Sequence, residues 1–206
     1  MKDLVVLVAD KNMEFLMRGL LPRIPKIEQI HEFNFEPLVH PYRDPGIYND
    51  AHDFLRSFTT KYSYAIVILD RIGCGRENNT RDEIETHIEN KLFQSGWKNR
   101  ACAIAIDPEL ENWIWVNEAK IIEAISWENT IGIYDWLHKN NLKDPGTHKP
   151  KHPKEAFEAT LKICQTPRSS SIYKEISSLA SYKQCQDPAF NKMMTQIKEW
   201  FTIPLS

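Results

Sequence analysis

Three uninterrupted apolar stretches stand out along the chain, and each of them ends in an aspartate. They cover residues 4–10, 65–70 and 101–107, and the aspartates are Asp10, Asp70 and Asp107. Continuous apolar runs of this length are typical of strands that are buried on both faces, as in a parallel sheet covered by helices. Ligands of such sheets bind beyond the carboxyl ends of the strands, so the pattern predicts where chemistry would occur.

The segments between these strands alternate polar and apolar positions at helical spacing. We predict helices over residues 12–21, 47–60 and 80–93, a short strand over 35–39 and a loop over 40–46. Pro22 and Pro25 are expected to end the first helix, and Thr80 with Glu83 forms a capping box for the third. The order β-α-β-α-β-α-β predicts an α/β fold, a Rossmann-like three-layer sandwich with a mostly parallel four-stranded sheet.

No strand pattern follows Asp107, and the rest of the chain is predicted to be helical. The helical pieces are residues 109–115, 117–126, 131–138, 154–164, 170–181 and 187–201, with a polar connector over 139–153. We therefore predict an α/β domain over residues 1–138 and a basic helical C-terminal extension over 139–206 that packs on it.

Composition places the chain among ordinary globular proteins. It has 206 residues, of which 42% are hydrophobic and 26% charged, and no run approaches the roughly 18–20 apolar residues of a membrane span. The first residues form a predicted strand rather than a signal peptide, and the four isolated cysteines favour reduced thiols. The expectation is a cytoplasmic protein with no membrane partner.

Charge is distributed unevenly between the two predicted parts. Residues 1–138 hold 15 Lys and Arg against 22 Asp and Glu, whereas residues 139–206 hold 11 against 6. A basic C-terminal third is compatible with a polyanionic partner such as nucleic acid, or with attraction between the two parts. The alternative is an ordinary surface, because nucleic-acid-binding domains usually show a stronger basic excess.

The three strand-end acids are the central candidate site. Asp10, Asp70 and Asp107 could converge at the carboxyl edge and bind Mg²⁺ or Mn²⁺, which would orient phosphate oxygens and activate water. Glu111 is a further candidate for a catalytic role, because it follows Asp107 by four residues on a predicted helix. The alternative is helix capping by Asp10 and by Asp107, the latter in the sequence Asp107-Pro108-Glu109.

A glycine-rich loop follows Asp70 and offers a candidate phosphate site. Arg71 and Arg76 flank Gly73-Cys74-Gly75, and glycines let a backbone approach a phosphate that arginines can bind bidentately. The loop lacks the Gly-Lys-Ser/Thr of a Walker motif. The alternative is a tight turn with surface arginines.

The strand-end acids resemble the Toprim family of Rossmann-like folds. That family pairs a Glu after its first strand with Asp-x-Asp after a later strand, and it binds Mg²⁺ for nucleic-acid cleavage or phosphoryl transfer. Here the first position is Asp10 rather than Glu, and Asp70-Arg71-Ile72 lacks the second Asp.

A resemblance over nearly the whole chain is to a bacterial family of uncharacterised activity, whose members are components of the methylation-associated anti-phage defence system. The segments that carry it are VADKNMEFLMRGLL, VHPYRDPG, AHDFLR, LDRIGCGRE, IDPELENWIW, KPKHPKEA, PRSSSIY and CQDPAF. The resemblance implies a cytoplasmic immune context with other proteins of the same system as partners, and it supplies no catalytic residues.

Two functions therefore remain open from the sequence. One is a non-catalytic interaction subunit of such a defence system. The other is a Mg²⁺- or Mn²⁺-dependent nuclease or phosphoryl-transfer enzyme, in which the strand-end acids hold the metal and Arg71 or Arg76 stabilises phosphate charge.

Overall fold

The structure is a computed structural model that describes residues 1–147, 149–182 and 185–203. Its centre is a four-stranded, all-parallel sheet with the strand order β2-β1-β3-β4. The strands are β1 (Lys2–Val8), β2 (Phe35–Val39), β3 (Tyr62–Asp70) and β4 (Ala101–Ile106). The expected α/β class with a parallel four-stranded sheet is confirmed.

Helices connect the strands, and within the described residues every element after β4 is helical. They are α1 (Lys11–Leu20), α2 (Ile24–Glu28), α3 (Arg43–Arg56), α4 (Arg81–Leu92), α5 (Glu111–Ile114), α6 (Glu118–Ile125), α7 (Ile133–Lys139), α8 (Pro153–Ile163), α9 (Ser170–Leu179) and α10 (Pro188–Phe201). Right-handed crossovers place α1 on one face of the sheet, and α3 and α4 on the other. Helix α9 packs against α1, and α10 packs against β4.

The core forms because the strands are apolar on both faces. Residues 4–8 of β1 and 65–69 of β3 are fully buried, and in the register Val6 lies between Pro37 and Ile66. Burying each such side chain contributes about 1.5–3 kcal/mol relative to leaving it exposed. Among the helices that the structure describes, none is both long and apolar enough to cross a membrane.

The sequence interpretation took Pro22, Pro25 and Pro45 as signals that end a helix or mark a loop. In the structure each of them lies in the first turn of a helical segment. Helix α1 does end before Pro22, but Pro22 and Pro25 then sit at the start of a 3-10 turn and of α2. The predicted loop over residues 40–46 is wrong in its second half, because α3 already begins at Arg43 and contains Pro45 in its first turn. Proline is tolerated there, since the first N–H groups of a helix have no intrahelical partner.

Both edges of the sheet are protected from further strand pairing. On β2, His40 N donates to Val8 O, so the alternation of the strand turns Pro37, which has no N–H, to the outer side. On β4, the N–H groups of Ala103 and Ala105 donate to carboxylates of α4, Glu89 at 3.0 Å and Glu85 at 2.9 Å. The α4 carboxylates thus replace the strand that is missing beyond β4.

We expect Glu85→Ala to lower the free energy of unfolding by about 1–3 kcal/mol, because it leaves the buried Ala105 N–H without an acceptor. It also removes one partner of Lys192, whose ammonium lies 3.0 Å from Glu85 and 2.7 Å from Glu89. Urea unfolding measures the loss. Glu85→Gln keeps the acceptor and should lose less, so equal stability of Glu85→Ala and the parent protein would contradict this role.

Candidate functional site

The carboxyl ends of β1 and β3 form the switch point of the sheet. The chain leaves β1 to reach β2 on one side and then returns to β3 on the other, which opens a crevice beyond these two strands. Asp10 lies two residues past β1, and Asp70 is the last residue of β3. Two of the three acids that the sequence analysis selected, Asp10 and Asp70, therefore lie at this crevice.

A cleft of about 500 Å³ opens beside Asp10. Four of the residues that line it carry a positive charge: Lys11, Arg43, Lys154 and Arg168. Lys11 and Arg43 are the first residues of α1 and α3, whereas Lys154 is the second residue of α8 and Arg168 lies two residues before α9. The α/β part and the C-terminal helices thus supply two cations each.

Asp10 both caps α1 and lines the cleft. Its Oδ1 accepts a hydrogen bond from Met13 N at 2.9 Å, which confirms the capping interpretation. The next two residues, Lys11 and Asn12, also line the cleft, so the first turn of α1 opens onto it. The positive end of the helix dipole adds to the side-chain charges there.

Asp70 is the least satisfied acid of the site. The residue is half-buried, and its Oδ1 is enclosed without a hydrogen-bond partner among the residues that the structure describes. Burial raises the pKa of Asp70 well above its ordinary value, and the neighbouring charge of Asp44 raises that pKa further. The smaller contributions of Glu111 and Asp10 act in the same direction. Asp70 therefore holds its proton to a higher pH than an exposed aspartate does.

Asp44 lies directly against Asp70 and was not recognised from the sequence. Its Oδ1 accepts a hydrogen bond from Asp70 N at 2.8 Å, and burial raises the pKa of Asp44 as well. Asp44 is the second residue of α3, and the Pro and Gly that follow it made this segment look like a loop. The available signal was an acidic residue inside the predicted loop that follows the second strand.

No cluster of three or more His, Cys, Asp or Glu side chains that could hold a metal ion occurs within the described residues. Asp10, Asp70 and Asp107 are thus not assembled into one set of three ligands in this structure. Mg²⁺ is commonly held by one or two carboxylates while phosphate oxygens and water complete its shell. A site with few carboxylates beside a basic cleft matches this arrangement, in which the protein supplies only one or two of the ligands.

Asp107 belongs to a different contact. Its exposed carboxylate lies 2.8 Å from Nε of Arg71, on the β4 side of the edge. It does not cap α5, which begins only at Glu111 and has Leu110 at its cap position, so the capping interpretation of Asp107 is wrong. The reason is that residues 107–110 form an irregular turn before the helix instead of its first turn.

Glu111 is buried and holds Arg168. It accepts hydrogen bonds from Arg168 Nη2 at 3.0 Å and from Tyr173 Oη at 2.6 Å. Arg168 also pairs with Glu158, so two carboxylates hold its guanidinium at the cleft. The structure therefore shows Glu111 beneath the cleft, in contact with a cation that lines it, rather than on a shared helix face with Asp107.

The short helix α5 and its flanks tie the C-terminal helices to the sheet, and we call this set of contacts the α5 clasp. Glu109 Oε1 accepts from Lys154 N at 3.0 Å, and Trp115 Nε1 donates to Pro153 O at 2.9 Å. Asp187 accepts two further hydrogen bonds, from Asn112 Nδ2 at 2.6 Å and from Trp113 Nε1 at 3.0 Å. Together with Glu111, the α5 clasp fixes the backbone that carries Lys154 and the side chain of Arg168.

The glycine-rich loop already contains its own anion. Glu77 Oε1 accepts from Gly73 N at 3.0 Å and from Gly75 N at 3.1 Å, and both glycines have positive φ, 97° and 79°. Arg71 donates to Glu77 O, and the Arg76 guanidinium lies 5.5 Å from the Tyr48 ring centroid. Neither arginine is among the residues that line the basic cleft.

His40 forms part of the cleft wall, and its surroundings favour the neutral ring. Burial lowers the pKa of His40, and its Nδ1 accepts a hydrogen bond from Tyr42 N at 3.2 Å, which leaves the ring proton on Nε2. The sequence analysis did not select it, although it is the first residue after β2 and so lies at the carboxyl edge.

Comparisons of the chain with family models, with curated proteins and with solved structures find no match. The assignment of a function therefore rests on the geometry at the carboxyl edge of the sheet: a basic cleft, one carboxylate that lines it, and the half-buried acids Asp44 and Asp70 beside it.

Proposed function

We propose that the basic cleft binds a phosphorylated ligand together with Mg²⁺ or Mn²⁺ and supports transfer of a phosphoryl group to water. The observation that carries the proposal is the meeting of four cationic side chains with Asp10 in one cleft, beside the unpartnered carboxyl of Asp70. Ligands of parallel α/β sheets bind at this switch point, which adds an independent reason to place the site here.

Binding follows from the charges of the cleft. Arg43 offers a planar guanidinium group that binds phosphate bidentately, and Lys11 and Lys154 add point charges. Arg168 adds positive charge to the cleft wall, while its Nη1 and Nη2 donate to Glu158, Glu111 and Tyr173. Arg168 is held by Glu111, so less conformational entropy is lost when it meets a ligand. The first turn of α1 contributes free N–H groups at its positive end.

The chemistry needs one acid near the ligand and one metal. Asp10 and the phosphate oxygens would hold the ion, which neutralises charge on the phosphoryl group. Water attacks phosphorus and forms a new P–O bond while the P–O bond to the leaving group breaks. Asp70 donates its proton to the leaving oxygen, and the proton that the attacking water loses passes to solvent. The raised pKa of Asp70 suits it to the role of general acid.

We expect Arg43→Gln to weaken binding of magnesium tripolyphosphate by about 10- to 100-fold, because it removes a charge-assisted hydrogen-bond donor from the cleft. Arg56→Gln is the matched control, since Arg43 and Arg56 are the first and last residues of α3 and both are exposed. Isothermal titration calorimetry of the full chain measures both affinities.

Two outcomes would count against the proposal. Tripolyphosphate that binds neither the parent protein nor the control would remove the anion site altogether. Equal losses in Arg43→Gln and Arg56→Gln would show that only the overall charge of α3 matters, and not the cleft.

We further propose that the protein acts within a bacterial anti-phage defence system, as the sequence segments imply. Several of these segments meet in the α5 clasp, which accounts for their residue types: Glu111 and Asn112 contact residues of the PRSSSIY and CQDPAF segments. A non-catalytic subunit is the competing proposal, and the lack of a three-residue metal cluster in the described part of the chain favours it.

Co-purification with the other proteins of the system tests this context. Association that survives Arg43→Gln would support a docking role apart from the cleft. A protein that remains alone at micromolar concentration in the presence of all of them would contradict membership of the complex.

A further inference from the structure

An exposed aromatic ring neighbours the residues that line the basic cleft. Tyr42 is 72% exposed, and it lies in the chain between Pro41 and Arg43, both of which line the cleft. Its ring centroid is 6.0 Å from that of His40, which forms the cleft wall. A planar ring that is free on its outer face, beside a phosphate-binding surface, is the arrangement on which a nucleobase stacks.

The size of the cleft indicates a ligand larger than one phosphate. Its volume of about 500 Å³ falls in the range of sites for small molecules and cofactors, roughly 300–1,000 Å³. Arg168 is engaged by Glu111 and Glu158, but Lys11, Arg43 and Lys154 form no salt bridge among the described residues and lie in the first turns of three different helices. Cations spaced across a cleft of this size suit a chain of several phosphates.

The charge outside the cleft argues against a long polyanion. Residues 1–138 carry 22 Asp and Glu against 15 Lys and Arg, and the whole chain has a net charge of −2. A protein that tracks a nucleic-acid backbone shows a basic stripe and a high isoelectric point, whereas this chain has a pI of about 6.4. The excess of 11 Lys and Arg over 6 Asp and Glu in residues 139–206 does not make the whole chain basic, which favours a short ligand.

We propose that the ligand of the basic cleft is a nucleoside polyphosphate, with its base on Tyr42 and its phosphates among the four cations. This inference rests on the proposed function, since it takes the cleft as the phosphate site. It also accounts for the sparse protein ligands for a metal, because a polyphosphate chain supplies most of the oxygen atoms that Mg²⁺ needs.

Calorimetry with three probes tests the inference on the full chain: the magnesium complexes of the β,γ-imido analogue of ATP and of tripolyphosphate, and a single-stranded oligothymidylate of twelve nucleotides. The expected result is that the ATP analogue binds about 5- to 100-fold more tightly than tripolyphosphate, which is the contribution of one stacked base. Tyr42→Ala should remove this advantage and leave tripolyphosphate binding unchanged, whereas Tyr42→Phe should retain it.

The outcomes separate this inference from the proposed function. Equal affinities for the ATP analogue and tripolyphosphate, with no effect of Tyr42→Ala, would overturn the nucleoside and leave the phosphate site intact. Tighter binding of the oligothymidylate than of the ATP analogue would overturn it in favour of a nucleic acid. No binding of tripolyphosphate, by the parent protein or by Tyr42→Ala, would overturn both proposals together.

Discussion

Asp70→Asn is expected to lower phosphoryl-transfer activity by about two to four orders of magnitude and, at neutral pH, to raise the stability of the fold. The loss of activity follows from the role of Asp70 as general acid, which asparagine cannot fill. The gain in stability follows from its environment, because Oδ1 is enclosed with no hydrogen-bond partner among the described residues and the neighbouring charge of Asp44 opposes its ionisation. A purely structural residue would lose both properties on substitution.

The gain in stability of Asp70→Asn should depend on pH, and the direction of this dependence follows from the raised pKa of Asp70. Burial and the charge of Asp44 raise the pKa of Asp70 in the folded protein above its ordinary value of 3.8. Between these two pKa values the folded state binds more protons than the unfolded state, so stability falls as the pH rises through that window. Asp70→Asn does not titrate there, and its advantage should grow with pH until the raised pKa is passed.

Thermal melts from pH 4 to pH 8, together with assays of phosphate release, measure both effects. We expect a gain for Asp70→Asn of about 1–3 kcal/mol at pH 7, the cost of an unsatisfied buried polar group, or roughly 2–4 °C in Tm for each kcal/mol. Parent activity should also fall as Asp70 loses its proton at high pH. Asp107→Asn is the control, since that carboxylate is exposed and pairs with Arg71 away from the cleft.

This assignment has a clear contradicting result. If Asp70→Asn keeps its activity, Asp70 is not the acid of the reaction. If the variant is less stable than the parent at pH 7, the unpartnered carboxyl is satisfied in solution by a group that the structure does not show.

Asp187→Ala is expected to cause the largest loss of stability, about 3–5 kcal/mol. Asp187 caps α10 by accepting from Phe190 N at 3.0 Å, and it receives the side-chain donors of Asn112 and Trp113 in the α5 clasp. Loss of the cap costs about 1 kcal/mol. The two donors that lose Asp187 together cost about 2–4 kcal/mol, the lower part of the usual range, because Asn112 Nδ2 also donates to Asp107 O. The Tm should drop by roughly 6–20 °C.

Urea unfolding and calorimetry measure the effect, and two variants give it meaning. Asp187→Asn retains an acceptor oxygen and should lose less. Ser178→Ala serves as a second control, because this exposed hydroxyl donates only to Glu175 O within its own helix. A loss for Asp187→Ala no larger than that for Ser178→Ala would show that the α5 clasp does not hold α10.

Strand positions and the place of the site followed from local sequence. The runs before Asp10 and Asp70 are apolar at every position because both faces of a central parallel strand are covered, and parallel strands bring their carboxyl ends to one edge. Asp107 does not lie at the crevice with the other two acids because β4 is the edge strand, one position farther from the switch point than β3. Strand order is a long-range property that the run of residues around Asp107 does not encode.

The two cations that the C-terminal helices bring to the cleft could not be predicted from local sequence, because their positions depend on tertiary contacts. Lys154 and Arg168 are far from Asp10 in the chain, and they reach it because Glu109 and Glu111 of the α5 clasp bind them. Glu111 looked like a site residue for its sequence relation to Asp107, but helix α5 starts too late for the two to share a face. Arg43 was hidden by Pro45 and Gly46, which usually mark a loop but here lie in the first turn of α3.

Anomalous diffraction from crystals grown with Mn²⁺ and tripolyphosphate tests the central claim most directly. We expect a manganese peak about 2 Å from an oxygen of Asp10, and phosphate density in contact with Arg43 and Arg168. The account would be contradicted if ordered tripolyphosphate lay against Arg71 and Arg76 at the glycine-rich loop instead, or if the cleft held only water at saturating ligand.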